Sequence, residues 1–196
     1  MGKINRFGQA AIITKEEFWR IRIALKKSSH RLLLDLAYYT GERWGAICQL
    51  KVKDVYRNSL NSIPHQEITF RATTRKASPD GRKKTRQVPI HGELDTILRN
   101  YTPEEYGWLF PGNQGKHLSL RGADKFLREA VKIAGLESKG ISTHSTRRTF
   151  ITNLNNKGIS LPVIKHITGH RDMQSLVKYV EVTPEQAKHA IELISG

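Results

Sequence analysis

The sequence predicts an α+β fold that is mainly α-helical, with a small antiparallel sheet and a basic β-hairpin. Three observations support this prediction. Most of the chain shows helical periodicity between Gly and Pro breaks. Residues 67–74 are instead rich in β-branched side chains, and turn residues separate them from a second strand-like run at 85–90. At 196 residues, the chain is long enough for one large domain, and we expect a single domain over 1–196 with a loose basic segment at 1–13.

The first part of the chain predicts three helices. Thr14 is a candidate N-cap because acidic residues follow it, and the helix that it begins should end near 27–29. The strongly apolar run 30–39 predicts a second helix, which stops at Thr40-Gly41. A third helix is predicted over 43–50, with Arg43 just inside it.

The middle of the chain predicts strands. The change from helical to strand-like sequence begins at Val55-Tyr56, and residues 57–65 form a predicted polar loop. Residues 78–81 (Ser-Pro-Asp-Gly) have turn chemistry. The runs at 67–74 and 85–90 should therefore pair as an antiparallel hairpin.

The remaining segments have helical composition and are separated by Gly or Pro. The last of them is an amphipathic C-terminal helix within 183–196. The predicted helices are 92–100, 119–134, 143–155, 161–168, 172–179 and 184–194.

Basic residues dominate the charge of the chain. There are 33 Lys+Arg against 18 Asp+Glu, so the net charge is +15, which favours a polyanionic partner. The hydrophobic fraction of 38% argues against disorder at this charge. The predicted hairpin is especially basic, and we expect it to contact phosphates, although charge alone does not separate DNA from RNA or a binding protein from an enzyme. Its predicted DNA-binding residues are Arg71, Arg75, Arg82, Lys83, Lys84 and Arg86.

Several classes of protein are excluded or disfavoured by the sequence. No apolar run approaches the roughly 20 residues that a membrane helix needs, and no export signal is recognisable. With Cys48 as its only cysteine, the chain has no internal disulfide and no multi-cysteine zinc site. The segment 112–117 lacks the spacing of a phosphate-binding P-loop, and the pair His166 and His170 lacks the Glu of a zinc-protease helix. We therefore expect no metal, no cofactor and a cytoplasmic location.

An ordered set of cations surrounds one tyrosine. Arg43 follows a Thr-Gly turn, His144 and Arg147 form a His-x-x-Arg motif, and His170 follows a Gly, nine residues before Tyr179. Arg147 precedes His170 by 23 positions. This order and spacing resembles the tyrosine recombinases of the phage integrase family. The resemblance covers about 14–182 and includes the linking motifs around 88–89 and 108–111.

The resemblance implies the helical catalytic domain of a DNA breaking-rejoining enzyme. In such an enzyme Arg43, Arg147 and His170 bind the phosphate, His144 lies on the side of the general base, and Tyr179 is the nucleophile. A lysine at the start of a hairpin turn protonates the leaving oxygen. Lys76 matches this position best, and Lys83 and Lys84 are its rivals.

The residue types suit this chemistry. Negative charge develops on the non-bridging oxygens of an attacked phosphodiester, so a catalyst without metal needs fixed donors. Arginine forks engage phosphate through two hydrogen bonds, which lysine does not reproduce. A phenol with an ordinary pKa of about 10 is neutral at pH 7 and needs a base or a cationic site. The implied product is a 3′-phosphotyrosyl link with a free 5′-hydroxyl, formed without metal or ATP.

The chain departs from the family pattern at two positions. Ala46 stands where the family usually has an acidic residue, three positions after the first arginine, and Arg148 stands where a histidine usually follows the His-x-x-Arg motif. The acidic residue is thought to orient its catalytic neighbours, so its loss either lowers activity or is compensated from elsewhere. We also expect this chain to lack the family's N-terminal core-binding domain.

The resemblance further implies double-stranded DNA as the partner, a monomer in the free state, and a homotetramer on DNA through exchange of the C-terminal helix. The gene would belong to a prokaryotic cell or a mobile element. Integration, excision and inversion all remain open. The alternatives are a non-catalytic DNA-binding protein of the same fold, a catalytic fragment of a longer integrase, and a basic RNA-binding or ribosomal protein.

Overall fold

The computed structural model describes residues 10–74, 84–170, 172–177, 179, 188 and 191–192. The chain divides into two compact units, Met1–Phe150 and Ile151–Gly196. Within them, α-helices predominate over two small antiparallel sheets, and this architecture confirms the predicted fold class. The prediction that 1–196 is one domain stays a prediction.

Three helices open the first unit: α1 (Lys15–Ala24), α2 (Ser28–Thr40) and α3 (Trp44–Ile47). Thr14 caps α1 as predicted, because its hydroxyl accepts from the Glu17 backbone N–H at 3.2 Å while the Glu17 carboxylate accepts from the Thr14 N–H at 2.9 Å. The helix ends at Ala24, three residues before the predicted end.

The turn between α2 and α3 differs from its prediction by one residue. Gly41 ends α2 in the left-handed conformation, with a φ of 60°. Arg43 then has extended backbone angles and is the N-cap of α3. The prediction that Arg43 lies inside this helix is therefore wrong, because the chain leaves the left-handed turn through one extended residue.

Two antiparallel strand pairs follow. In the first, β1 (Tyr56–Asn58) pairs with β2 (Ile63–Pro64). The prediction of a polar loop over 57–65 missed this hairpin. Long-range hydrogen bonds stabilise its connecting turn, since the hydroxyls of Ser59 and Ser62 donate to the backbone oxygens of Glu105 and Tyr101.

The second pair confirms the predicted antiparallel pairing. β3 (Glu67–Phe70) pairs with β4 (Arg86–Pro89), and Phe70 lies opposite Arg86. β3 is shorter than expected because the chain turns into a 3-10 helix at Ala72–Thr74. The predicted turn at 78–81 lies outside the described residues, and so do Arg75, Lys76, Arg82 and Lys83.

The core of the first unit lies between these helices and the paired strands β3 and β4. The amphipathic helices α4 (Gly92–Arg99) and α5 (Leu120–Ile133) bury their apolar faces there. Burial raises the pKa of the Cys48 thiol to about 12, so this cysteine is protonated at neutral pH. The largest fully buried side chains are those of Trp44, Phe18, Phe70, Ile21, Leu32, Leu33, Leu34, Leu36, Ile47, Leu50, Ile68 and Leu94.

Helix α6 (Ser145–Asn156) begins in the first unit and ends in the second. The second unit also contains α7 (Leu161–Thr168), as predicted, and α8 (Gln174–Val177), which is shorter than the predicted helix 172–179. Ile151, Ile164 and Leu176 form its small apolar cluster. Most of the predicted helix 184–194 lies outside the described residues. None of the helices that are described is both long and apolar enough to cross a membrane.

Candidate active site

The turn after α2 requires glycine. A Cβ on Gly41 would lie 2.4 Å from Cδ1 of Phe150, well inside van der Waals contact, and the positive φ disfavours any other residue. The Thr40 hydroxyl donates to the Leu36 carbonyl at 2.6 Å and so completes the end of the helix. This close approach constrains the backbone two residues before Arg43, the N-cap of α3.

Three of the predicted catalytic residues meet in one pocket of about 240 Å³ in the first unit. Arg43, His144 and Arg147 line it, although 101 residues separate the first from the second in sequence (144 − 43). Arg43 and His144 are exposed, whereas Arg147 is only 4% exposed. The arrangement provides two guanidinium groups and one imidazole at a single anion-sized cavity.

Helix α6 positions Arg147 against the turn, and His144 directly precedes this helix. The Nη1 of Arg147 donates to the Gly41 carbonyl at 2.8 Å. One residue earlier on the same helix, the Thr146 hydroxyl accepts from Nε1 of Trp44 at 3.0 Å, and both side chains are buried. These contacts attach α6 to the turn and to α3, so the two arginine-bearing elements are held at a fixed spacing.

The pocket also contains a buried carboxylate, which the sequence did not identify as a candidate site residue. Glu42 is 1% exposed and also lines the pocket. Its Oε2 accepts from Nη1 of Arg86 at 2.6 Å, and its Oε1 lies 3.7 Å from Nη1 of Arg147. No periodic or spacing signal identifies such a residue, because its partners are 44 and 105 positions away (86 − 42 and 147 − 42).

Arg86 does not suit its predicted role as a DNA contact. Its side chain is 6% exposed and is paired with Glu42, and its Nη2 donates to the Thr40 carbonyl at 3.2 Å. Both Nη atoms of Arg86 are engaged within the first unit and, unlike Arg147, it does not line the pocket, so it is not placed to contact an external phosphate. We therefore remove Arg86 from the proposed DNA-binding residues and treat it as the ion-pair partner of Glu42.

The other described hairpin residues differ in exposure. Arg71 donates to the Gln49 carbonyl at 2.7 Å, lies 3.1 Å from Asp54 and is 5.8 Å from the centroid of the Trp108 ring. Because 27% of its side chain is exposed, Arg71 stays a proposed phosphate contact. Lys84 is exposed.

The second unit contains His170 and Tyr179, while the sixth candidate, Lys76, lies outside the described residues. The rings of His170 and Tyr179 are 6.0 Å apart between centroids and tilted by 56°. Gly169 closes α7 in the left-handed conformation, and Nδ1 of His170 then lies 2.5 Å from the Thr168 hydroxyl. Tyr179 packs against the apolar cluster of this unit, and its backbone oxygen accepts from the Thr152 hydroxyl at 3.3 Å.

Arg148, which directly follows the His-x-x-Arg motif, is buried. Its Nη1 donates to the Ala10 carbonyl at 3.0 Å, and next to it the Thr149 hydroxyl accepts from the Ile13 N–H at 2.8 Å. These bonds attach the segment before α1 to α6. Arg148 thus has a structural role in the first unit.

Over the described ranges, no group of three or more His, Cys, Asp or Glu side chains converges as a metal site.

Comparison with known proteins identifies similar sequences. A tyrosine recombinase of Pseudothermotoga lettingae is 27% identical over 179 residues, which cover 87% of this chain and 56% of that protein. The tyrosine recombinase XerA of Pyrococcus furiosus is 27% identical over 188 residues, which cover 92% of this chain and 60% of that protein. The chain therefore spans between half and two thirds of the length of these relatives.

Solved structures share the fold. The crystal structure of XerA recombinase matches with a TM-score of 0.70 and 21% identity, over 96% of this chain and 67% of that one. The Tn1549 transposon integrase in complex with transposon right end DNA matches with a TM-score of 0.73 and 17% identity, over 97% and 67%. The sequence model of the phage integrase family matches residues 12–186, nearly the whole chain. The chain belongs to the phage integrase family of tyrosine recombinases.

Proposed function

We propose that this chain is the catalytic part of a site-specific DNA recombinase, which cuts and rejoins DNA through a 3′-phosphotyrosyl intermediate without metal or ATP. The observation that carries the proposal is the pocket where Arg43, His144 and Arg147 come together in a member of this family. The similarity to tyrosine recombinases, and to solved structures of a site-specific recombinase bound to its substrate and of a transposon integrase in complex with DNA, supports the same proposal.

The proposed first step is a transesterification. The phenolic oxygen of Tyr179 attacks the phosphorus, a P–O bond to the tyrosine forms, and the P–O5′ bond breaks. The phenolic proton passes to a base, for which His144 is the candidate, and the 5′ oxygen gains a proton. The number of phosphoester bonds is unchanged, so the free 5′-hydroxyl of a second strand can reverse the step.

The arginines and His170 stabilise the transition state. The guanidinium groups of Arg43 and Arg147 donate to the non-bridging oxygens as negative charge develops there. His170 adds a further hydrogen bond. Lys76 is the proposed general acid for the 5′ oxygen, with Lys83 and Lys84 as alternatives.

The proposed binding partners follow from the net charge of the chain and from its family. Double-stranded DNA is the proposed substrate, and Arg71, Arg75, Arg82, Lys83 and Lys84 are the proposed phosphate contacts of the hairpin. A homotetramer on DNA, joined by the C-terminal helices, and a monomeric free protein complete the proposal. A cytoplasmic location is consistent with such a substrate.

The test uses negatively supercoiled plasmid, so that the target site need not be known. The protein is incubated with plasmid in EDTA without ATP, and relaxed DNA and SDS-stable protein–DNA adduct are measured. We expect both products with wild type, no adduct with Tyr179→Phe, and a loss on the order of 10²-fold or more with Arg147→Lys or Arg147→Ala.

Tyr106→Phe is the matched control, because Tyr106 is 81% exposed and lies outside the pocket. It should behave as wild type. Adduct that persists in Tyr179→Phe would contradict the assignment of the nucleophile. A wild type that only binds plasmid, in a salt-dependent way, would instead favour a non-catalytic DNA-binding protein, which the alanine at position 46 permits.

A further inference from the structure

Glu42 is an ionisable group that is buried in the first unit. It lies in the turn between α2 and α3 and is 1% exposed. A carboxylate removed from water is unfavourable unless hydrogen bonds and opposite charges compensate it. The partners that compensate Glu42 therefore indicate what the residue contributes.

These partners are the elements of the candidate active site. Oε1 of Glu42 accepts from the Arg43 backbone N–H at 2.8 Å and lies 3.7 Å from Nη1 of Arg147. The same Nη1 donates to the Gly41 carbonyl at 2.8 Å. The turn thus contacts Arg147 through a carbonyl and a carboxylate, while the carboxylate also receives the N–H at the start of α3.

Arg86 determines the net charge of the group formed by Glu42 and its two arginine partners. Its Nη1 is 2.6 Å from Oε2 of Glu42, which is shorter than the 3.7 Å between Glu42 and Arg147. Two buried guanidinium groups thus share one carboxylate, and the group keeps a net positive charge. The carboxylate can orient Arg147 without neutralising the site toward a phosphate.

The position of Ala46 gives this arrangement a functional meaning. Ala46 lines the same pocket as Glu42, Arg43 and Arg147, and its methyl group has no polar atom to offer them. Glu42 supplies a carboxylate to the pocket from the other side of Arg43 in sequence.

We propose that Glu42 is a positioning residue for Arg147 and Arg43, and that it replaces the carboxylate missing at position 46 while Arg86 serves as its counter-ion. This inference rests on the proposed recombinase function for its effect on the reaction. Its geometric part, the orientation of Arg147, stands on the contacts of the first unit alone.

The test compares Glu42→Gln with the double variant Glu42→Gln, Arg86→Gln. The single change leaves a buried guanidinium without its carboxylate and should lower the urea midpoint. The double change removes both charges and should recover most of that stability. If Glu42 positions Arg147, adduct formation on supercoiled plasmid should fall by about 10²-fold in both variants, with nearly unchanged Kd for the plasmid.

Asp35→Asn is the matched control. Asp35 is another fully buried carboxylate in an arginine pair, with Arg22 at 2.7 Å, and it lies outside the pocket. Its loss should lower stability while the rate of adduct formation stays at the wild-type level. Recovery of the rate together with stability in the double variant would show that Glu42 is only structural and would overturn the inference.

A second readout does not require activity. Side-chain NMR of labelled arginine, with the Arg147 signals assigned from Arg147→Lys, reports whether its guanidinium rotates freely. We expect restricted rotation in wild type and in Asp35→Asn, and faster rotation in both Glu42 variants. Unchanged rotation in the Glu42 variants overturns the inference. Altered rotation with a wild type that forms no adduct upholds the positioning role and contradicts the proposed function instead.

Discussion

At the scale of single residues, Gly41 links the backbone of the first unit to the proposed chemistry. Its left-handed φ of 60° lets the chain turn from α2 toward α3, and its carbonyl accepts from Arg147. The ring of Phe150 leaves no space for a side chain there. The residue is therefore constrained twice, by its backbone angle and by packing.

We expect Gly41→Ala to lower the free energy of unfolding by at least about 2 kcal/mol, because the positive φ and the clash with Phe150 act together. Urea denaturation measures the change. Gly92→Ala is the matched control, since nothing lies within 4 Å of a Cβ at Gly92, in the first turn of α4. That variant should be as stable as wild type or slightly more stable. Equal effects of the two substitutions would contradict this account of the turn.

At the scale of elements, the packing of α2 against α5 places an imidazole in a partly apolar setting. The ring of His30 stacks on that of Phe126, with 3.8 Å between centroids and 10° between planes. Desolvation by burial lowers the pKa of His30 below its ordinary value of 6.5, and the charge of Lys27 lowers it further, while Glu129 opposes the change. The folded state thus favours the neutral ring.

This contact should make stability depend on pH. Because the pKa of His30 is lowered in the folded protein, the unfolded chain binds more protons as the pH falls through 6.5, and stability decreases below that value. We expect the fall in urea midpoint between pH 7.5 and pH 5.5 to be smaller in His30→Leu. His65→Gln, which changes an exposed histidine, should keep the wild-type fall. The same slope in wild type and His30→Leu would refute the assignment.

At the scale of the whole molecule, the net charge of +15 favours binding to DNA, and the number of phosphates contacted sets the salt dependence of that binding. Because binding releases counterions from the DNA, the logarithm of the binding constant falls linearly with the logarithm of the salt concentration. The slope is about −0.9 for each phosphate contacted. The number of contacts is therefore measurable without knowledge of the recombination site.

We expect the double variant Arg82→Gln, Lys83→Gln on the basic hairpin to reduce the magnitude of this slope by about 2. Lys125→Gln, Lys132→Gln is the charge-matched control, because both residues are exposed on α5. It should leave the slope close to wild type. Fluorescence anisotropy with a labelled duplex over a series of salt concentrations gives both values, and equal slopes for the two variants would exclude the hairpin as a phosphate-binding element.

The features that the sequence alone could predict depend on residues that are close together in the chain. The capping box at Thr14, the glycine that ends α2, the full extent of α7 and the pairing of β3 with β4 all follow from neighbouring residue types. The family also followed from sequence, because the order and spacing of its motif residues are linear properties of the chain.

Only the tertiary structure decided the contacts that join distant segments. The pocket around Arg43 and Arg147, the ion pair of Glu42 with Arg86, and the hydrogen bonds that hold the turn of the β1–β2 hairpin each join residues far apart in sequence. Local composition describes one segment at a time, so the basic character of the predicted hairpin made Arg86 a candidate phosphate contact and gave Glu42 no role. Burial decides whether such a charge meets solvent or another charge, and burial is set by how the elements pack.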